Sequence, residues 1–126
     1  MSNTVVRSDN APKAIGPYSS AMQVGANMLF VSGQIPVNPQ TGDMPSDIKE
    51  QAKQSLTNLK ALVEAGGFTM ADVVKTTVFI TDINDFAAVN EVYATFFAEP
   101  YPTRSCVAVK ELPKAAKVEI ECICAK

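Results

Sequence analysis

From residue 46 the apolar positions fall every three or four residues. Ile48, Ala52, Leu56, Leu59 and Val63 line one side of a helix, and Lys49, Glu50, Lys53, Asn58 and Lys60 face away from it. Ser46 can cap the start of this helix, and Gly66-Gly67 can end it. Upstream no such period holds. A short apolar start gives way to Ala11-Pro12-Lys13-Ala14-Ile15-Gly16-Pro17-Tyr18, whose prolines and glycine predict a loop. Two short strands follow, Ala21–Val24 and 28–32, with Gly25-Ala26-Asn27 as the turn between them. After Gly33-Gln34-Ile35-Pro36, the run Asn38-Pro39-Gln40-Thr41-Gly42 reads as a further turn. Downstream of the helix, Val73–Ile80 has the Val, Thr, Phe and Ile content of a strand. A second helix is predicted over 84–97, with Phe86, Val89, Tyr93, Phe96 and Phe97 inward and Pro100 and Pro102 beyond its end.

The last quarter alternates instead. Successive side chains of a strand point to opposite sides, so Ser105, Val107 and Val109 share one face, and Arg104, Cys106 and Ala108 share the other. In the final strand Val118, Ile120, Cys122 and Cys124 form an apolar face opposite Glu119, Glu121 and Ile123. If these two strands pair as a hairpin across 111–117 and bury both apolar faces in one core, Arg104 emerges beside Glu119 and Glu121. An arginine with two carboxylates on the non-core face is a candidate binding site. It is equally the pattern of a solvated face with a weak surface ion pair.

The order is then about three strands, a helix, a strand, a helix and two strands, which predicts one α+β domain spanning residues 1–126. Two amphipathic helices cover only one face of such a sheet. The other face still carries Phe, Val and Ile among its polar residues, and a second copy of the chain is its natural cover.

Composition narrows the chemistry. With 126 residues and 47% hydrophobic content the chain can bury a core without disulfides or metal. The net charge of -2, spread without basic runs, argues against nucleic acid as partner. No apolar run reaches the roughly 18 residues of a membrane span. Met1-Ser2-Asn3-Thr4 lacks the pattern of a signal peptide, so a cytoplasmic protein with no membrane association is expected. Three cysteines without framework spacing point to reduced thiols, Cys122 and Cys124 as core filler. The chain has no histidine, which removes the usual general base and the commonest metal ligand. Catalysis must use Glu, Asp, Lys, Tyr, Cys or main-chain groups, and no metal site is expected.

Single residues stay ambiguous at this point. Gly33 at the end of an apolar strand marks a bulge or a close ligand approach, or simply a strand running into a turn. Asn90 falls within the inward stripe of the second helix, where an amide either ties the helix to a neighbour or looks into a cavity. Tyr18 is a donor over a pocket or an amphipathic plug.

Five separated segments in order carry a resemblance over nearly the whole chain: Ala14-Ile15-Gly16-Pro17-Tyr18, Val31-Ser32-Gly33-Gln34-Ile35-Pro36, Gln54-Ser55-Leu56-Thr57-Asn58-Leu59, Val74-Lys75-Thr76-Thr77-Val78-Phe79, and Arg104-Ser105-Cys106-Val107 through Val118-Glu119-Ile120-Glu121. Together they resemble the Rid family of reactive intermediate deaminases. The resemblance implies a chorismate-mutase-like α+β fold with a mixed sheet and two helices on one face. It implies a homotrimer with sites between subunits, and hydrolysis of small 2-imino acids to 2-keto acids and ammonia without a cofactor. The imino acids arise from enamines such as 2-aminoacrylate. Carried over by position, the carboxylate-binding arginine is Arg104 and the water-handling glutamate is Glu119. Tyr18, Gly33, Asn90 and Cys106 match positions lining the family's cleft, Cys106 through its main chain. Thr103 stands where the family often has alanine, the stretch before Arg104 is slightly short, and Cys124 lies outside the pattern. The same arginine-anchored cleft also suits a non-catalytic trimer that binds or senses a keto acid or amino acid. Ribonuclease and chaperone activities reported for the family form a third reading, and the acidic balance weighs against RNA.

Overall fold

Helix α1 (Ile48–Ala65) starts at Asp47, whose carboxylate accepts the Glu50 N–H at 3.1 Å. The expected cap, Ser46, instead offers its carbonyl to the Lys117 ammonium. The acidic side chain wins because it accepts an orphan N–H and also opposes the positive end of the helix dipole. At the far end Gly67 takes a left-handed φ of 82°, which lets the Phe68 N–H reach the Val63 carbonyl.

The computed structural model describes residues 3–126. Its strands are β1 (Asn3–Val6), β2 (Ala21–Val24), β3 (Met28–Gln34), β4 (Val73–Ile80), β5 (Thr103–Ala108) and β6 (Val118–Ala125). They form one sheet in the order β1-β2-β3-β6-β4-β5, antiparallel except for the parallel pair β4 and β5. Helix α1 and the shorter α2 (Phe86–Tyr93) pack together on one face, which is the expected α+β arrangement. Leu56, Leu59, Leu62 and Val63 of α1 meet Leu29 and Val31 of β3, Val78 and Ile80 of β4, and Val118 and Ile120 of β6 in the core. Cys122 and Cys124 are buried there too, on the face their alternation predicts.

Helix α2 is shorter than the predicted 84–97. A 3-10 turn over Ile83–Asp85 precedes it, and i to i−3 bonds from Thr95 and Phe96 tighten the chain after Tyr93. Phe97 nonetheless buries its ring against Tyr93, with centroids 4.5 Å apart. Phe86, expected inward, is 37% exposed at the first turn.

Asn58 was expected to face solvent and is fully buried. A buried amide left without partners costs about 1–3 kcal/mol. Here Nδ2 donates to the carbonyls of Ile35 and Val37, and Oδ1 accepts from Gln54.

The C-terminal hairpin does not form. Strand β4 inserts between β5 and β6, leaving β5 at the edge. Directly opposed residues share a face, and the register sets Arg104 and Cys106 against Thr76 and Val78. It sets Glu119 and Glu121 against Phe79 and Thr77. Arg104 therefore lies on the helix-covered face and the two glutamates on the open face. Their expected joint emergence is overturned because β5 turns Cys106 toward the core and leaves Val107 45% exposed.

Candidate functional site

Within one chain the predicted site residues fall into two groups. The first gathers at the edge strand. Arg104 crosses from β5 to α2, where Nη1 donates to Asn90 Oδ1 at 2.7 Å. Its guanidinium carbon sits 4.8 Å from the Tyr93 ring centroid and 5.5 Å from that of Phe86. Phe86, Asn90 and Tyr93 recur at four and three residues along α2, so one helical face supplies all three. Among the described residues the ion pair is Lys49 with Glu91, and no carboxylate among them occupies the Arg104 fork.

Cys106 lies two residues along β5, partly buried against the core. Burial pushes its thiol pKa up, and the nearby Arg104 charge only partly opposes that shift. A thiol so placed stays protonated and is a poor nucleophile. Its main chain is better placed. The Val109 N–H turns inward to the Ile80 carbonyl, and alternation along the strand then aims the Arg104 and Cys106 main-chain groups at the free edge.

The second group lies on the open face. Strand β3 bulges where Ser32 and Gly33 together face Glu121, between the pairs Val31 with Cys122 and Gln34 with Ile120. Glu119 folds its side chain onto the bulge. A Cβ at Gly33 would sit 2.7 Å from the Glu119 carboxyl carbon and closer still to Oε2. Burial first, and the neighbouring Glu121 charge second, raise the Glu119 pKa above the usual carboxylate range.

Polar residues of α1 hold the bulge in place. Ser55 Oγ donates to the Gln34 carbonyl at 2.6 Å, and Asn58 secures Ile35 and Val37 just beyond. On the other side Ser32 Oγ donates to the Ser19 carbonyl at 2.6 Å and the Ser32 N–H to the Ser20 carbonyl, fixing the loop that presents Tyr18. The Tyr18 hydroxyl accepts the Ile15 N–H at 3.3 Å. Tyr18 and Gly33 border one cavity of about 190 Å³, with Ile15, Ile35, Val37 and Lys114.

Structure thus joins Arg104 with Asn90 and Cys106, and Glu119 with Gly33, with Tyr18 bordering the Gly33 cavity. It does not join the two groups. Strands β5 and β6 are two spacings of about 4.8 Å apart, and the side chains leave opposite faces. Phe86, Tyr93 and Thr76 were not singled out as site residues. The four-and-three spacing of Phe86, Asn90 and Tyr93 was the available signal.

A mixed sheet with an unpaired edge arginine and a glutamate held on a glycine bulge defines a class of small single-sheet proteins. A family model described as Endoribonuclease L-PSP matches residues 8–126, and the chain belongs to this family, that of the YjgF/RidA proteins. The 2-iminobutanoate/2-iminopropanoate deaminase of Escherichia coli strain K12 is 56% identical over 126 residues, covering 98% of this chain and 97% of the relative. The crystal structure of the E. coli YjgF gene product superposes with a TM-score of 0.93 at 52% identity, covering 98% of both chains. That of E. coli TdcF with bound serine does so with a TM-score of 0.93 at 53% identity, again covering 98% of both chains.

Proposed function

We propose that this protein hydrolyses small 2-imino acids, among them 2-iminopropanoate and 2-iminobutanoate, to 2-keto acids and ammonia. The observation that carries this reading is the division of labour between its two polar groups. Arg104 is a guanidinium fork held in place without a carboxylate partner, and Glu119 is a carboxylate seated on the Gly33 bulge whose pKa burial and the Glu121 charge raise. An arginine fork matches a carboxylate with two parallel hydrogen bonds, so Arg104 anchors the substrate and fixes its imine carbon. Main-chain groups at Cys106 and the loop of Tyr18 complete the cleft, and Asn90 keeps the fork aimed. The serine bound to TdcF, a small amino acid with a carboxylate, fits the same anchor.

The chemistry then needs one water and one base. Glu119 takes a proton as water oxygen bonds to the iminium carbon, whose C=N electron pair moves to nitrogen. The product is a tetrahedral amino alcohol. Glu119 returns the proton to nitrogen, the C–N bond breaks with its electron pair leaving on ammonia, and the hydroxyl oxygen becomes the keto oxygen as its proton passes to Glu119 and on to the ammonia, which departs as ammonium. No redox partner enters.

A single chain cannot bring Arg104 and Glu119 to one substrate, since they lie on opposite faces. We place the site between subunits of a homotrimer, with the edge of one copy against the open face of the next. Exposed Val5, Phe30 and Val107 on that face support a protein cover. The free thiols Cys106, Cys122 and Cys124 suit a reducing compartment such as the cytoplasm. Light scattering is expected to give three times the 13.5 kDa chain mass. A monodisperse monomer at micromolar concentration would remove the interfacial site. The activity itself is tested by generating 2-iminobutanoate in situ and following its disappearance; a rate no faster than in buffer overturns the reading.

Gly33→Ala probes the seat of the Glu119 carboxylate. The bulge does not require a left-handed φ at Gly33, so the backbone accepts alanine, but the new methyl must displace the Glu119 carboxyl. A misplaced base is expected to lower kcat roughly tenfold with the thermal midpoint little changed. Unchanged kcat would show that this contact does not position the base.

A further inference from the structure

The aromatic floor under Arg104 is more than packing. Thr76 of β4 lies directly opposite Arg104 of β5, and the Thr76 hydroxyl hydrogen-bonds the Tyr93 hydroxyl at 2.8 Å in a buried position. Tyr93 is further held by Phe97, its ring tilted 35° to that neighbour at a centroid separation of 4.5 Å. The ring has little freedom to turn. Over it sits the guanidinium, 4.8 Å from the centroid, with Phe86 at 5.5 Å. Asn90 ties one nitrogen of the fork. One hydrogen bond fixes one corner of a planar group and leaves it free to pivot; a ring beneath removes that pivot.

We infer that Tyr93, clamped by Thr76 and assisted by Phe86, is a positioning residue that sets the plane of the Arg104 fork and so selects substrates by their α-carboxylate. The inference rests on the reading of Arg104 as the carboxylate anchor. It assigns two separable jobs to one side chain. The ring orients the arginine, and the hydroxyl serves the fold through Thr76.

Two variants separate these jobs. Tyr93→Phe keeps the ring and leaves the Thr76 hydroxyl without its buried partner, so its thermal midpoint is expected to fall while KM stays near that of the parent. Tyr93→Leu keeps apolar bulk and removes the ring. Its KM for 2-iminobutanoate and its Kd for pyruvate are expected to rise together, by about 2- to 30-fold, with kcat changed much less. The effect must also run through the arginine. In an Arg104→Ala background, Tyr93→Leu is expected to add no further loss of pyruvate affinity. Should Tyr93→Leu fail to fold, Phe86→Leu at the exposed side of the same floor tests the claim in the same direction with a smaller shift.

Unchanged pyruvate affinity in the folded leucine variant overturns the inference. So does an equal KM rise in Tyr93→Phe and Tyr93→Leu, which would mark the residue as structural only. Arg104→Lys measured alongside tells the two levels apart. If lysine weakens pyruvate binding and Tyr93→Leu does not, the anchor stands and the aromatic floor falls; if neither variant matters, the anchor reading itself is wrong.

Discussion

Arg104→Lys is expected to lower kcat/KM for 2-iminobutanoate by roughly ten- to more than a hundredfold, even though it keeps the positive charge. The guanidinium offers two parallel donors to a carboxylate, and an ammonium on a flexible stem offers a point charge. Losing one of two charge-assisted bonds costs about 1.5–3 kcal/mol, which converts to that range of specificity. Geometry adds to the loss. The fork is held by Asn90 and lies over the Tyr93 ring, and a lysine ammonium cannot meet Asn90, the ring and a substrate carboxylate at once. Pyruvate affinity should fall in parallel, because the anchor acts on substrate and product analogue alike. A lysine variant with unchanged kcat/KM and unchanged pyruvate Kd would reduce Arg104 to a surface charge.

This expectation depends on a neighbour in sequence order that no local pattern gives directly. Alternation assigned each residue of β5 and β6 to the correct set of its own strand: Arg104 with Cys106, and Glu119 with Glu121. It could not say which strand lies beside which. The hairpin reading joined the two because they are consecutive, whereas β4 lies between them. The missed signal was the order strand, helix, strand across β4, α2 and β5. A helical crossover is what a parallel pair requires, so β4 and β5 were the natural neighbours. Once β4 takes that place, β5 becomes an edge and Arg104 sits under α2.

The helices show the same division between local and distant information. The period of Leu56, Leu59 and Val63 gave α1 and its core face. A second stripe, Gln51, Ser55 and Asn58, recurs at four and three residues beside it, and of these only Asn58 is placed by the periodicity, on the solvent side. In the structure these polar residues are buried and reach the carbonyls of Pro45, Gln34, Ile35 and Val37. Apart from Pro45 these carbonyls lie more than twenty residues from the side chains that reach them, so no window of sequence contains both ends. Alternation alone marks Arg104 and Glu119 as candidates, and the family resemblance gives them and the other candidate residues their expected roles. The residues themselves leave Gly33, Asn90 and Tyr18 open between structural and chemical roles, and the structure sets Gly33 against Glu119 and Asn90 against Arg104. The bulge that bends β3 is also the seat of Glu119, and the amide that ties α2 to β5 is also the partner of Arg104.

Glu119→Gln is expected to separate chemistry from binding. The substitution preserves shape and removes the proton acceptor, so kcat should fall by about 10²- to 10⁴-fold, while pyruvate affinity, set by Arg104, changes little. The pH dependence follows from the direction of the Glu119 shift. Burial and the Glu121 charge favour the neutral carboxyl. The acid limb of wild-type kcat/KM should therefore lie above the pH at which an ordinary glutamate ionises, with activity falling as pH drops through the Glu119 pKa. The glutamine variant should lack that limb. Stability moves the other way. A carboxyl whose folded pKa is raised binds its proton more tightly folded than unfolded, so its stabilising contribution is full below the unfolded pKa and is lost as pH rises through the folded one. Glutamine carries no charge to bury. Its thermal midpoint should match the wild type in acid and equal or exceed it at neutral pH, the gap opening as pH rises. A stable variant with near-normal kcat would take the base role away from Glu119, and a loss of turnover accompanied by an equal loss of pyruvate affinity would move Glu119 from chemistry to binding.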